Sequence, residues 1–562
     1  MSKEQVPAIS QYKPLYDLAF LLGATLIIFY ASLTISAAFS FISGWKLTPL
    51  SIVVATIIAS IFYIAAGSKG LSIPTKHLFI GLAILVLVWL VALLAAGWMY
   101  DLSWDGRDYH QRAVYELAHG WNPVKVELQP LYTYYNQWLN HYPKAPWIVA
   151  AAIYQLSGNI ESGKAMNLVL IVACFMITFY LIGSYHLNPV LVTAGSLVCA
   201  LNPVSVYQSF TFYVDGQVAS MYAIVLVLML IAIRHPSRLV FLTIGAALVT
   251  GLNIKFTASM YLLILTGGLF IFYAFRWYCQ SSILPPLEIL AAGTLVGIFV
   301  AGYQPYVTNT LNYGNPYYPV YGSQVFTQVF PFSEQAPSNF EGKNRFEKLF
   351  LATFSRSQNI YGQDSGPIKF PLSVSIRELL QYGVADIRVG GFGPWFGAAV
   401  LLAMVIWLLL FFSNKMLGMI VSLVGGLIAF TALINPETWW ARYAPQWWLI
   451  VVLVMCAGLI SQLKYARLFS YILLLMLALN IAMVAGSNLS QNALITWRTK
   501  QTFSELARQG ETVLIYDHPF ELAHLKFDQW HLHYRVVDSL SDLPCPHPFM
   551  KGIYYSPIDC SP

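Results

Sequence analysis

The run HLFIGLAILVLVWLVALLAAGWMY at residues 77–100 carries no Asp, Glu, Lys or Arg, and it passes directly into DLSWDGRDYHQR at 101–112. About 20 apolar residues in helical form cross the hydrocarbon core of a bilayer. Carboxylates set just past such a helix are expensive to hold near lipid. The junction therefore reads as a membrane helix that opens into a charged loop at the membrane surface. Twelve more apolar runs lie at 17–43, 48–66, 165–185, 188–202, 218–233, 239–252, 255–275, 286–303, 394–413, 416–433, 444–462 and 468–487, so thirteen spans are expected. The first run is too long for a cleaved signal peptide and lacks its cleavage pattern. Gly251 to Lys255 interrupts a nearly continuous stretch and separates the seventh and eighth spans.

Composition agrees. The chain has 562 residues, 57% hydrophobic and 10% charged, and its mean hydropathy is +0.61. Soluble domains carry about 25% charged residues. Disordered, collagen-like and coiled-coil chains need polar or repetitive compositions that are absent here. A β-barrel would alternate apolar and polar residues rather than run apolar for twenty. The class is an all-α polytopic membrane protein.

Lys and Arg in short loops orient such a chain. With the N-terminus in the cytoplasm, Lys3, Lys13, Lys69, Lys76, Arg234, Arg238, Arg276, Lys415, Lys464 and Arg467 all fall on the cytoplasmic side, with only Glu4, Asp17 and Glu288 as acids. The net charge of +6 is then mostly an orientation signal, not a nucleic-acid footprint. Nearly all acids fall on the outer face, in three large pieces: 101–164, 304–393 and the tail 487–562. The expected division is a membrane domain over 1–486 and an external α/β domain over 487–562. In that tail 499–509 reads as helix, with strands at 512–516 and 534–537. Cys545 and Cys560 both lie there, as a disulfide in an oxidising compartment or as two thiols. Cys174, Cys199, Cys279 and Cys456 read as small apolar packers. His531 and His533 match no zinc spacing. No phosphate-binding glycine loop appears, so soluble nucleotides are not expected substrates.

The chemistry-bearing residues cluster on the outer face. Asp105 and Asp108 are three apart and share a face if the segment is an α-helix. One reading is a base plus a metal-holding or Arg107-orienting carboxylate; the other is capping and ordinary ion pairing. Tyr132, Tyr134, Tyr135, Trp138, Tyr142 and Trp147 form an aromatic belt or a set of sugar-stacking rings. Asp215 either caps the sixth span or meets a polar substrate. Lys255 either snorkels or binds a lipid phosphate. Arg442 either clamps a phosphate through its planar fork or pairs with Glu437.

The segment Trp104-Asp105-Gly106-Arg107-Asp108-Tyr109-His110-Gln111-Arg112, following a span, resembles the opening of the first outer loop in the GT-C class of integral-membrane glycosyltransferases. The likeness is strongest to bacterial relatives of protein O-mannosyltransferases and of lipid A aminoarabinose transferase. Tyr142-Pro143-Lys144-Ala145-Pro146, Tyr313 to Pro319 and Trp440-Ala441-Arg442-Tyr443 support it, as does the layout of spans with an external C-terminal domain. The oligosaccharyltransferase branch carries Trp-Trp-Asp, where this chain has Trp439-Trp440-Ala441.

The resemblance implies a hexosyl- or pentosyltransferase of a bacterial inner membrane with a periplasmic C-terminus. It takes a sugar from a polyprenyl-phosphate carrier to a glycan, lipid or protein acceptor. Asp105 is the implied base, with Asp108 second. Arg442, Lys255 and Arg107 are the candidate phosphate contacts, and Tyr109, His110, Asp215 and Trp440 the candidate substrate contacts. A Mg or Mn ion at Asp105 and Asp108 is left open. An acid base acting on an attacking hydroxyl gives single displacement with inversion. The rivals are a lipid-linked glycan polymerase or ligase, a transporter or flippase, and an assembly scaffold. No internal repeat or mid-span charge points to transport.

Overall fold

The computed structural model describes residues 6–129, 136–280, 286–321, 335–520, 522–550 and 552–558. Among these, nine helices are long and apolar enough to cross a membrane: Tyr12–Ile42, Leu50–Gly70, Thr75–Trp98, Ile160–Gly183, Asp215–Arg234, Phe256–Cys279, Phe396–Ser413, Lys415–Leu433 and Lys464–Gln509. A tenth crossing is a pair bent by 74°, Leu287–Ala301 with Tyr303–Tyr313. Helices satisfy every backbone polar group internally, which lipid demands.

Three of the thirteen expected spans are shorter: Pro189–Ala200, Arg238–Gly251 and Trp447–Ile460. At 12 to 14 residues they reach about 18–21 Å, short of the ~30 Å core. Hydropathy counts apolar residues but not helix ends. The Asn188 side chain accepts from Val190 N and the Asn202 side chain from Val204 N, so helices start at Pro189 and again at Pro203 within one apolar stretch. A further short apolar helix, Ala145–Ser157, lies inside the first expected outer piece.

The Asp215–Arg234 helix is apolar on all sides and almost wholly buried at the centre of the bundle, as expected for a helix with no polar face. Thr75–Trp98, by contrast, is largely uncovered by protein. Arg238–Gly251 and Leu287–Val296 approach at Gly245 and Gly293, where a Cβ on Gly293 would lie 2.6 Å from the Gly245 Cα. Small residues permit such backbone contact between membrane helices.

The last helix runs unbroken for 46 residues from Lys464 to Gln509. The boundary expected at 486/487 falls within it, and the expected 499–509 helix is its final part. Gly510, with φ of +69°, ends it in the left-handed conformation. A small sheet follows, with β1 Val513–Tyr516, β2 Tyr534–Val536, β3 His547–Met550 and β4 Ile553–Pro557 in the order β2-β1-β4-β3. β1 runs parallel to β2 and antiparallel to β4. β3 and β4 pair antiparallel and were not expected from the sequence. Phe503 and Leu506 of the long helix pack on Val513, Ile515 and Phe527, fastening sheet to bundle. Cys545 lies in this domain, while Cys560 and Tyr132, Tyr134 and Tyr135 lie outside the described residues. Cys174 and Cys199 are free and buried.

Candidate active site

Just past Thr75–Trp98 the chain is knotted by Asp101. Its Oδ1 accepts from Ser103 N at 2.7 Å and Ser103 Oγ at 2.6 Å, and its Oδ2 accepts from Phe212 N at 2.7 Å. Gly106 sits against this carboxylate, where a Cβ would collide with Asp101 Oδ2 and Ser103 Oγ. The knot turns the chain into a π-helical turn, Gly106–His110, that begins at Asp105. The α-helical face expected to carry Asp105 and Asp108 together is therefore not formed. In i→i+5 geometry residues three apart no longer lie one above the other. Asp108 is buried, whereas the Asp105 side chain keeps 23% of its surface open.

Asp105 belongs to a charge network centred on Arg442. Arg442 Nη2 donates to Asp105 Oδ2 at 3.0 Å, its Nε lies 3.2 Å from Asp215 Oδ2, and its Nη1 lies 3.2 Å from Asp386 Oδ2. Lys255 Nζ meets Asp215 Oδ1 at 2.5 Å. Arg388 Nη1 lies 3.5 Å from Asp386 Oδ2, and the Trp440 indole donates to Asp386 Oδ1 at 3.0 Å. Three acids and three bases thus balance. The guanidinium of Arg442 is also walled by the rings of Tyr213, Trp440 and Tyr443 at 4.8–5.2 Å, and Lys255 Nζ lies 4.6 Å from the Tyr443 ring. A planar fork with five donors suits this three-way bridge.

Glu437 accepts from the Trp439 indole at 2.5 Å, while Arg442 turns to the three aspartates. Asp215 makes no cap; Val214 holds that position, without a side-chain bond. Lys255 is buried and paired rather than snorkelling. Burial opposes the charge of Arg442, yet Asp386, Tyr443, Asp215 and Asp105 outweigh it and hold the group well above its ordinary range. Burial lowers Lys255, and Asp215 offsets only part of this. Burial raises Asp386, against the pull of Arg442 and Arg388.

Compared with solved structures, the chain is similar to a crystal structure of ArnT from Cupriavidus metallidurans bound to undecaprenyl phosphate, over 83% of this chain and 86% of that one, with 14% identity and a TM-score of 0.42. No family model matches the chain, and no curated protein matches it.

The other expected site residues are placed differently. Arg107 Nε donates to Ser103 O at 3.0 Å, and its guanidinium lies 4.0 Å from the Phe520 ring of the C-terminal domain, so it is not part of the Arg442 network. Burial pushes Arg107 down to about 10. Trp440 is fully buried and holds Asp386 rather than an open face. Tyr109 packs on His110, with ring centroids 4.2 Å apart. The carboxylates do not fit a divalent ion: Asp105, Asp215 and Asp386 converge on a guanidinium, and among the described residues no group of three or more His, Cys, Asp or Glu could hold a metal.

Asp386 escaped the sequence reading. Its signal was faint: a lone acid two residues before Arg388, followed by Gly390 and Gly391, in a long outer piece.

His110 is buried, and its Nδ1 accepts the Trp147 indole N–H at 2.7 Å. That bond requires the neutral ring. Burial pushes His110 down to about 3, from about 6.5. A lowered folded-state value means that its contribution is complete above pH ~6.5 and is lost as pH falls towards 3, by about 1.4 kcal/mol per unit. Thermal stability should therefore fall between pH 7 and 5, and His110→Gln should flatten that dependence. An unchanged slope in the variant would remove His110 as its source.

Proposed function

We propose that this chain is a glycosyltransferase that moves a hexosyl or pentosyl group from a polyprenyl-phosphate carrier to an acceptor on the outer face of the membrane. The observation that carries the reading is the placement of Asp105, the most open carboxylate of the network, 3.0 Å from a guanidinium at the ends of apolar helices. A base and fixed positive charge in one place are what this displacement needs. The acceptor oxygen bonds to the anomeric carbon as its proton passes to Asp105. The bond from that carbon to the phosphate oxygen breaks, and the phosphate leaves with the electron pair. Arg442 and Lys255 supply the field in which that charge grows. One displacement inverts the anomeric centre.

The choice of face rests on helices that enter the site. Asp215–Arg234 has Asp215 in the network at one end and Arg234 at the other. Phe256–Gln280 begins beside Lys255 and carries Arg276 near its far end. Basic residues ordinarily mark the cytoplasmic ends, which supports a network on the outer face.

The test is Asp105→Asn in membranes given a lipid-linked sugar and acceptor. Turnover should fall about 10²–10⁴-fold, with thermal unfolding little changed because Asp105 is partly open and Arg442 keeps Asp215 and Asp386 as partners. Full turnover would exclude Asp105 as the base.

A further inference from the structure

Of the aromatic side chains that wall Arg442, Tyr213 and Trp440 are buried and Tyr443 is half-buried, but Trp104, adjacent to Asp105 in the chain, is 44% exposed. An open tryptophan close to a membrane helix ordinarily anchors in the headgroup layer. The surroundings of Trp104 differ. Its ring meets Phe520 of the C-terminal domain at 4.8 Å between centroids, with the planes at 73°. Leu102 packs against the two apolar clusters of that domain. Tyr100 Oη accepts from the Trp530 indole at 3.1 Å, and Arg107 lies under Phe520. The C-terminal domain thus grips the loop at 100, 102, 104 and 107. It holds the Trp104 ring against the sheet domain, with the remaining surface open, one residue before Asp105, the most open carboxylate of the network.

The geometry points to Trp104, buttressed by Phe520, as a stacking platform for a sugar ring of the acceptor. The C–H face of a sugar is apolar and weakly positive, and the face of an indole is negative, so the two attract. A ring stacked there lies one residue along the chain from Asp105. This rests on the transferase reading and narrows it: the acceptor class is a saccharide, rather than a protein hydroxyl or a bare lipid. It also gives the C-terminal domain a part in the site, since Phe520 is its contribution.

The experiment is saturation-transfer NMR on the full-length protein in detergent, using the methyl glycosides of glucose, galactose, mannose and N-acetylglucosamine as probes. At least one glycoside should receive saturation on the C–H protons of one ring face. Trp104→Ala should weaken that signal about tenfold, while Trp104→Phe should keep most of it. Trp104→Phe also preserves the contact with Phe520, so the comparison holds if the alanine variant unfolds. No signal from any of the four glycosides, or an equal signal in all variants, overturns the platform. An effect of Trp104→Ala confined to stability in lipid marks a membrane anchor and overturns it as well. The experiment needs no turnover. Trp104-dependent binding without transfer from any lipid-linked donor would defeat the transferase reading alone, and transfer without Trp104-dependent binding would defeat the platform alone.

Discussion

Replacing Arg442 by methionine is expected to abolish turnover, by about 10³-fold or more, and to destabilise the protein by about 3–5 kcal/mol. The reason is the three-way bridge. Arg442 contacts Asp105, Asp215 and Asp386 at 3.0–3.2 Å and is itself buried. Without it three carboxylates crowd one place, with Lys255 and Arg388 left to offset them from one side each. Like charges in a poorly solvated site repel strongly, so the three carboxylates would lose the geometry that Arg442 gives them. Arg442→Lys should fall between: it restores a charge but, as a point donor, does not reach three acids. Adding Asp105→Asn to the methionine variant should recover part of the lost stability, since it removes one stranded charge. Thermal unfolding in detergent, read beside turnover of a lipid-linked sugar, checks both halves. Normal turnover in the methionine variant would mean the network is structural and the chemistry lies elsewhere.

The second large effect is expected at Glu161. This side chain is wholly buried and holds two ammonium groups, Lys164 at 2.5 Å and Lys526 at 3.0 Å, while its Oε2 also accepts from Asp101 N at 3.0 Å. Lys526 comes from the C-terminal domain, so Glu161 joins that domain to the Asp101 knot that sets up the Asp105 loop. Glu161→Gln strands two buried cations and should cost about 3–5 kcal/mol. The C-terminal domain should loosen first, visible as faster hydrogen exchange across β1 to β4. Lys526→Met should cost less, because Glu161 keeps Lys164. Combined with Glu161→Gln, it should restore some protection. If β1 to β4 exchange at the wild-type rate in Glu161→Gln, the domain is held by its apolar contacts at Phe503, Phe520 and Trp530 and not by this ion cluster.

Much of this was legible in the residues themselves. Long apolar runs mark the nine full spans because lipid offers the backbone no other partner. The Trp104 to Arg112 segment stood out because acids next to a membrane helix are costly and rarely idle. Strands at 513–516 and 534–536 followed from their patterning. The failures have physical causes as well. Pro189–Ala200, Arg238–Gly251 and Trp447–Ile460 are apolar enough to span but are short; the first two start at side-chain caps, Asn188 and Ser237, which hydropathy does not weigh. Asp105 and Asp108 parted because a π turn replaced the assumed α-helix.

By itself the sequence determined that this chain is a polytopic membrane protein built mainly from apolar helices with a small α/β unit at its C-terminal end, and it singled out the Asp105 segment as a candidate site. Those conclusions need only composition and order along the chain, because burial in lipid acts on each segment separately. Only the tertiary structure decided which groups work together. Arg442 reaches Asp105 across 337 residues, drawing Asp386, unnoticed, into the same bridge and leaving Arg107 out. Ion pairs are chosen by distance through space and by the burial around them, and neither is written in the spacing of residues along a chain.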